Sequence, residues 1–135
     1  MEDLDERVEM YSSTVLGGSS GDYIPVLNNS TVDGADTTVV GNDAKIMAGA
    51  HRDNIKAGDN ANINAGSGSD NVVAGDFAIV DLGSGNDRAN VGDNAIVTSN
   101  SGSNSVTARD NATVTLGIGS DSVNNYLHVE MEEVA

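Results

Sequence analysis

"LGSGNDRANVGDNAIVT", residues 82–98, decides the fold. It holds two clusters rich in glycine and in Asp or Asn, "GSGND" and "GDN", with short alternations of small, branched and polar residues between and after them. Each cluster reads as a turn, because Gly supplies positive-φ backbone and Asp or Asn bonds nearby backbone groups. A single copy would be two ordinary turns beside two short strands. The pattern instead recurs along the chain: Asp36, Asp53, Asp70, Asp87, Asn104 and Asp121 follow one another at intervals of 17 residues.

Written in register, the units run "DTTVVGNDAKIMAGAHR", "DNIKAGDNANINAGSGS", "DNVVAGDFAIVDLGSGN", "DRANVGDNAIVTSNSGS" and "NSVTARDNATVTLGIGS", with "DSVNNYLHVEM" as a partial copy. A fixed period in this range predicts a solenoid whose units stack and cannot fold alone. Inside each unit the residues two and four after the Asp are apolar (Ile55 and Ala57, Val72 and Ala74, Ala89 and Val91), as are the later pairs Ala61/Ile63, Ala78/Val80 and Ala95/Val97. Polar residues mostly separate them, which is the period of strands with one buried face. The expectation is an all-β protein, a parallel β-roll or two-sheet β-solenoid with about seven coils of 17 residues. Residues 1–31 read as degenerate coils or a cap, 32–121 as the regular solenoid, and 122–135 as a last partial coil with a C-terminal cap.

Composition agrees with a core of small residues. The 135 residues include one Phe, three Tyr and no Trp, too few large side chains for an ordinary globular core. A helical reading fails because Gly recurs in every unit and β-branched residues are frequent inward. The formal charge of −15 comes from 21 acidic and six basic residues, which excludes nucleic acid and anionic membrane surfaces as partners and favours cations. All six Glu lie near the ends (Glu2, Glu6, Glu9, Glu130, Glu132, Glu133), so every acid of residues 10–129 is the short, turn-compatible Asp. Cys is absent, which removes disulfides and thiolate sites. The start "MEDLDERVEM" is acidic where a signal peptide would be basic and then apolar.

The first turn reads "GSGSD" at 66–70, "GSGND" at 83–87, "NSGSN" at 100–104 and "GIGSD" at 117–121. Positive-φ glycines can aim carbonyl oxygens at the point where the Asp places its carboxylate, and Ca²⁺ takes six to eight such oxygens at roughly 2.3–2.6 Å. Two stacked turns would supply them, with the ion between adjacent coils. "GSGND", followed by one residue and then an apolar one, resembles the glycine and aspartate-rich nonapeptide of repeats-in-toxin (RTX) proteins, which binds Ca²⁺ in a parallel β-roll. The resemblance implies carboxylates from Asp70, Asp87 and Asp121, and carbonyls from Gly66, Gly68, Gly83, Gly85, Gly117 and Gly119. Gly102 and Asn104 continue the row with less charge; Asp53 and Asp36 continue it with weaker turns, His51 standing where a Gly is expected. In that family both turns usually carry the full motif, whereas here the second is the shortened "GDN" of a 17-residue coil.

That second column (Asp59, Asp76, Asp93 and Asp110, with Asn60, Asn94 and Asn111) reads as a ladder of turn caps, a second row of cations being the alternative. His51 and His128 are too far apart along the solenoid for a shared site, and no catalytic grouping is visible, so the chain is not expected to be an enzyme. Lys45, Lys56, Arg88 and Arg109 do not form one strip, and outward Thr is too irregular for ice binding. The expected function is a Ca²⁺-binding structural or adhesive module of a secreted or cell-surface protein. Its alternatives are the accessory region of an exported enzyme or toxin, and a metal-free solenoid that associates end to end.

Overall fold

The computed structural model describes residues 14–16, 23–26, 31–33, 37–125 and 129–133 of the chain, with side chains over 37–124. Asp36 and His128 lie outside the described residues. Among the described residues every regular element is a strand, and all strand pairs are parallel. A seven-stranded sheet stacks Tyr23–Val26, Thr37–Val40, Asn54–Lys56, Asn71–Val73, Arg88–Asn90, Ser105–Ala108 and Ser122–Asn125 in chain order. An eight-stranded sheet stacks Thr14–Leu16, Thr31–Asp33, Lys45–Met47, Asn62–Asn64, Ile79–Asp81, Ile96–Thr98, Ala112–Leu116 and Val129–Glu133. The chain passes from one sheet to the other in every coil, which is the two-sheet β-solenoid.

The register is uniform over the described core. Thr37, Asn54, Asn71, Arg88, Ser105 and Ser122 form one column, giving about five coils of 17 residues rather than seven. The count falls because the period changes upstream: Tyr23 pairs with Thr37 and Thr31 with Lys45, an offset of 14. Past Asp121 the 17-residue register continues, with Ala112 paired to Val129.

The slot between the sheets is filled by stacked columns of like residues. Ile55, Val72, Ala89 and Val106 face inward from the first sheet, and Ile46, Ile63, Val80, Val97 and Val114 from the second; all are buried. Ala44, Ala61, Ala78, Ala95 and Ala112 make another buried column. Each fully buried Val or Ile contributes about 1.5–3 kcal/mol, and repetition replaces the large aromatic side chains of a globular core. A further inward column, Ala48, Ala65, Leu82, Ser99 and Leu116, lies immediately before the glycine-rich turn and was not expected from the sequence.

The two turns differ in backbone. In the second, Asp43, Asn60, Phe77, Asn94 and Asn111 all take φ of 56–59°, the left-handed conformation that Asn and Asp tolerate best. In the first, positive φ falls on glycines and, in the earliest described coil, on His51, and Ser67–Gly68 pairs in parallel with Ser84–Gly85 as a small third sheet. That turn brings the acidic column to its place.

Candidate functional site: a buried aspartate ladder

Asp53, Asp70, Asp87 and Asn104 are all buried, with Asp70 and Asp87 only 2% exposed. Strand parity is the cause. Asp70 shares a face with Val72 and Ala74, so a strand that turns Val72 inward turns Asp70 inward as well. In the other turn, left-handed Phe77 stands between Asp76 and Ala78, and the parity breaks. Asp59 is accordingly exposed and Asp76, Asp93 and Asp110 partly so.

The buried column is a hydrogen-bonded ladder between coils. Asp53 N–H donates to Asp70 Oδ1 at 2.9 Å, Asp70 N–H to Asp87 Oδ1 at 2.9 Å, Asp87 N–H to Asn104 Oδ1 at 3.1 Å and Asn104 N–H to Asp121 Oδ1 at 2.8 Å. Each side chain thus caps a backbone group of the coil before it. The second column is the expected ladder with the opposite sense: Asp76 N–H donates to Asp59 Oδ1 at 2.9 Å and Asp93 N–H to Asp76 Oδ1 at 2.8 Å, so each side chain caps the coil after it. Arg109 replaces the glycine of the other coils beside this ladder, and there the bond from Asp110 N–H to Asp93 Oδ1 lengthens to 3.2 Å.

Only half of each of the Asp70, Asp87 and Asp121 carboxylates is satisfied. Oδ2 of Asp70, Asp87 and Asp121 is buried with no hydrogen-bond partner. Such an atom costs about 1–3 kcal/mol, and more when charged. Burial accordingly pushes the Asp70 carboxyl above the usual carboxylate range; the Asp53 N–H opposes the shift and the neighbouring Asp87 charge adds to it. Asp87 is raised by the same burial, opposed by the Asp70 N–H. What each Oδ2 lacks is a cation, a proton or a hydrogen-bond donor.

The glycines have a packing role of their own. Gly66 O accepts from Ser84 N–H at 3.0 Å and Gly83 O from Asn100 N–H at 2.8 Å, so these carbonyls point along the solenoid to the next coil. A Cβ on Gly83 would overlap Gly66 O, and on Gly85 would overlap Gly68 O; Gly102, Gly117 and Gly119 meet Gly85, Asn100 and Gly102 in the same way. Close stacking of backbone on backbone therefore requires glycine here, whatever else the turn binds.

The oxygen donors suit a hard cation. Among the described residues no three His, Cys, Asp or Glu side chains meet at a point that could hold a metal, so carboxylates alone do not complete a Ca²⁺ shell. Two successive column members, a neighbouring carbonyl with a free lone pair and water are the oxygens on offer. The coils of Asp70 and Asp87 offer the most charge; the Asn104 coil offers an amide. Comparison with family models, with curated proteins and with solved structures finds no match. The likeness to RTX repeats therefore rests on the motif residues themselves.

Proposed function

We propose that the chain is a non-catalytic β-solenoid module of a secreted or cell-surface protein, whose fold is completed by Ca²⁺ bound along its buried aspartate column. The observation that carries this reading is the pair of buried Asp70 and Asp87 side chains, each with an unpartnered Oδ2. Lone carboxylates are not kept ionised in an apolar slot, because removing each from water costs several kcal/mol. An oxygen-preferring divalent cation neutralises two carboxylates at once and accepts backbone carbonyls as well. Asp70 and Asp87 would hold the ion, with Asp53 beside them and the Gly66, Gly68, Gly83 and Gly85 carbonyls at hand.

The chain's charge gives the ion a use. At −15 the separated coils repel, and a cation that binds only the stacked form shifts the balance toward it. At a free concentration a hundred times Kd, one site adds about 2.7 kcal/mol. Dissociation constants of about 10⁻⁴–10⁻³ M, usual for extracellular modules, would leave the chain unsaturated inside a cell and loaded outside. The module would then stiffen on export and serve as a spacer or adhesive segment.

Titrating the metal-stripped protein with CaCl₂, followed by far-UV circular dichroism and calorimetry, tests the reading. Strand signal that rises with Ca²⁺ and a heat of binding that Mg²⁺ does not reproduce support it. Full strand content in chelator with no heat on adding Ca²⁺ overturns it.

A further inference from the structure

One member of the acidic column is neutral, and its surroundings change with it. Asn104 is 1% exposed. Its Oδ1 accepts from Asp87 N–H at 3.1 Å, which fixes the amide orientation, since only oxygen can accept there. Nδ2 therefore stands where the aspartates carry Oδ2. It donates to Asp121 Oδ1 at 3.1 Å and to Ser99 Oγ at 2.7 Å. The residue five positions earlier is Ala65 for Asp70, Leu82 for Asp87 and Leu116 for Asp121, so the only hydroxyl in this column accompanies the only amide.

We infer that Asn104 and Ser99 form a joint that takes the place of a bound cation, so that the coils on either side of residue 104 dock without metal while the Asp53–Asp70–Asp87 stretch depends on it. The inference rests on the Ca²⁺ reading above and deepens it. The Asn104 amide puts a donor where Asp70 and Asp87 carry an orphaned Oδ2, and Asp121 Oδ1 receives both its N–H and its Nδ2, which leaves Asp121 Oδ2 as the one orphaned buried carboxylate oxygen of that part. It also leaves the column between Asp87 and Asp121 without a negative charge. The solenoid is thereby divided into a metal-independent part around 88–122, which can form first, and a metal-dependent part over 54–87 that stacks on it.

Hydrogen exchange read by mass spectrometry, segment by segment, tests this on the whole chain in chelator and in CaCl₂. The expected result is protection of 88–122 in chelator, with 54–87 exchanging quickly and slowing about a hundredfold when free Ca²⁺ reaches a hundred times Kd. Asn104→Asp should lose the chelator protection of 88–122, regain it with Ca²⁺ and bind one more ion by calorimetry. Asp87→Asn should do the reverse, retaining Oδ1 for Asp70 N–H and lowering the Ca²⁺ needed to protect 71–90. Protection that responds to Ca²⁺ equally in both segments, or an Asn104→Asp protein still protected in chelator, would overturn the inference and leave the Ca²⁺ reading standing. No response to Ca²⁺ in any segment would overturn both.

Discussion

At the scale of single residues, the glycines of the first turn are where stacking is least forgiving. A Cβ on Gly85 overlaps the Gly68 carbonyl, a backbone atom that cannot step aside, whereas a Cβ on Gly49 meets nothing within 4 Å. Gly85→Ala should cost about 3 kcal/mol, the upper end of overpacking penalties. Gly49→Ala, with φ of 107°, should pay only backbone strain of about 1–2 kcal/mol. Urea midpoints of the two variants check the difference, and equal losses would mean that φ rather than contact selects glycine. His51 gives the converse test. It holds φ of 97° at the register of Gly68, one of the costliest positions for a side chain. His51→Gly should raise stability by about 1 kcal/mol, seen as a higher urea midpoint at unchanged slope.

At the scale of the elements, the two ladders use the same residue type to different effect. Asp87→Ala strips the acceptor from the buried Asp70 N–H and should cost about 1–3 kcal/mol. Asp93→Ala removes the acceptor of Asp110 N–H on the partly exposed edge, where water replaces it, and should cost under about 1 kcal/mol. Thermal melts in chelator compare them without any contribution from bound ions, and calorimetry should find Ca²⁺ binding weakened by the first alone. The strands and their inward Val and Ile columns were legible because alternation and the 17-residue period agree. The inward Asp was legible in principle, since Asp70, Val72 and Ala74 share parity, but an acidic residue beside glycines reads as an exposed turn. Leu82 and Ser99 were lost for the same reason, as they abut the turn. The direction of each ladder could not be read, because a residue that repeats every 17 positions looks the same toward the coil before and the coil after.

At the scale of the whole molecule, the buried column makes stability depend on pH in a way that bound cation reverses. Burial raises the Asp70 and Asp87 carboxyls above the range they have in the unfolded chain. Between the ordinary and the raised values the folded protein therefore holds more protons than the unfolded one, and stability falls as pH rises across that window. In chelator, acidification from neutrality toward the ordinary Asp value of about 3.9 should raise the melting temperature, with the gain complete below that value. The nearest charge along the column is Asp53, Asn104 separating Asp87 from Asp121, and Arg52 and Arg88 line an outer groove that Asp70 also borders. Protonation of Asp70 and Asp87 also relieves repulsion within the −15 chain, in the same direction. With saturating Ca²⁺ the ion already neutralises the carboxylates, and protons compete with it. Acidification should then lower the melting temperature instead. Melting curves from pH 7 to about pH 4, with and without CaCl₂, should cross. A chain destabilised by acid in both conditions would mean that Asp70 and Asp87 are ionised and satisfied without metal, and that the unpartnered Oδ2 atoms are reached by water.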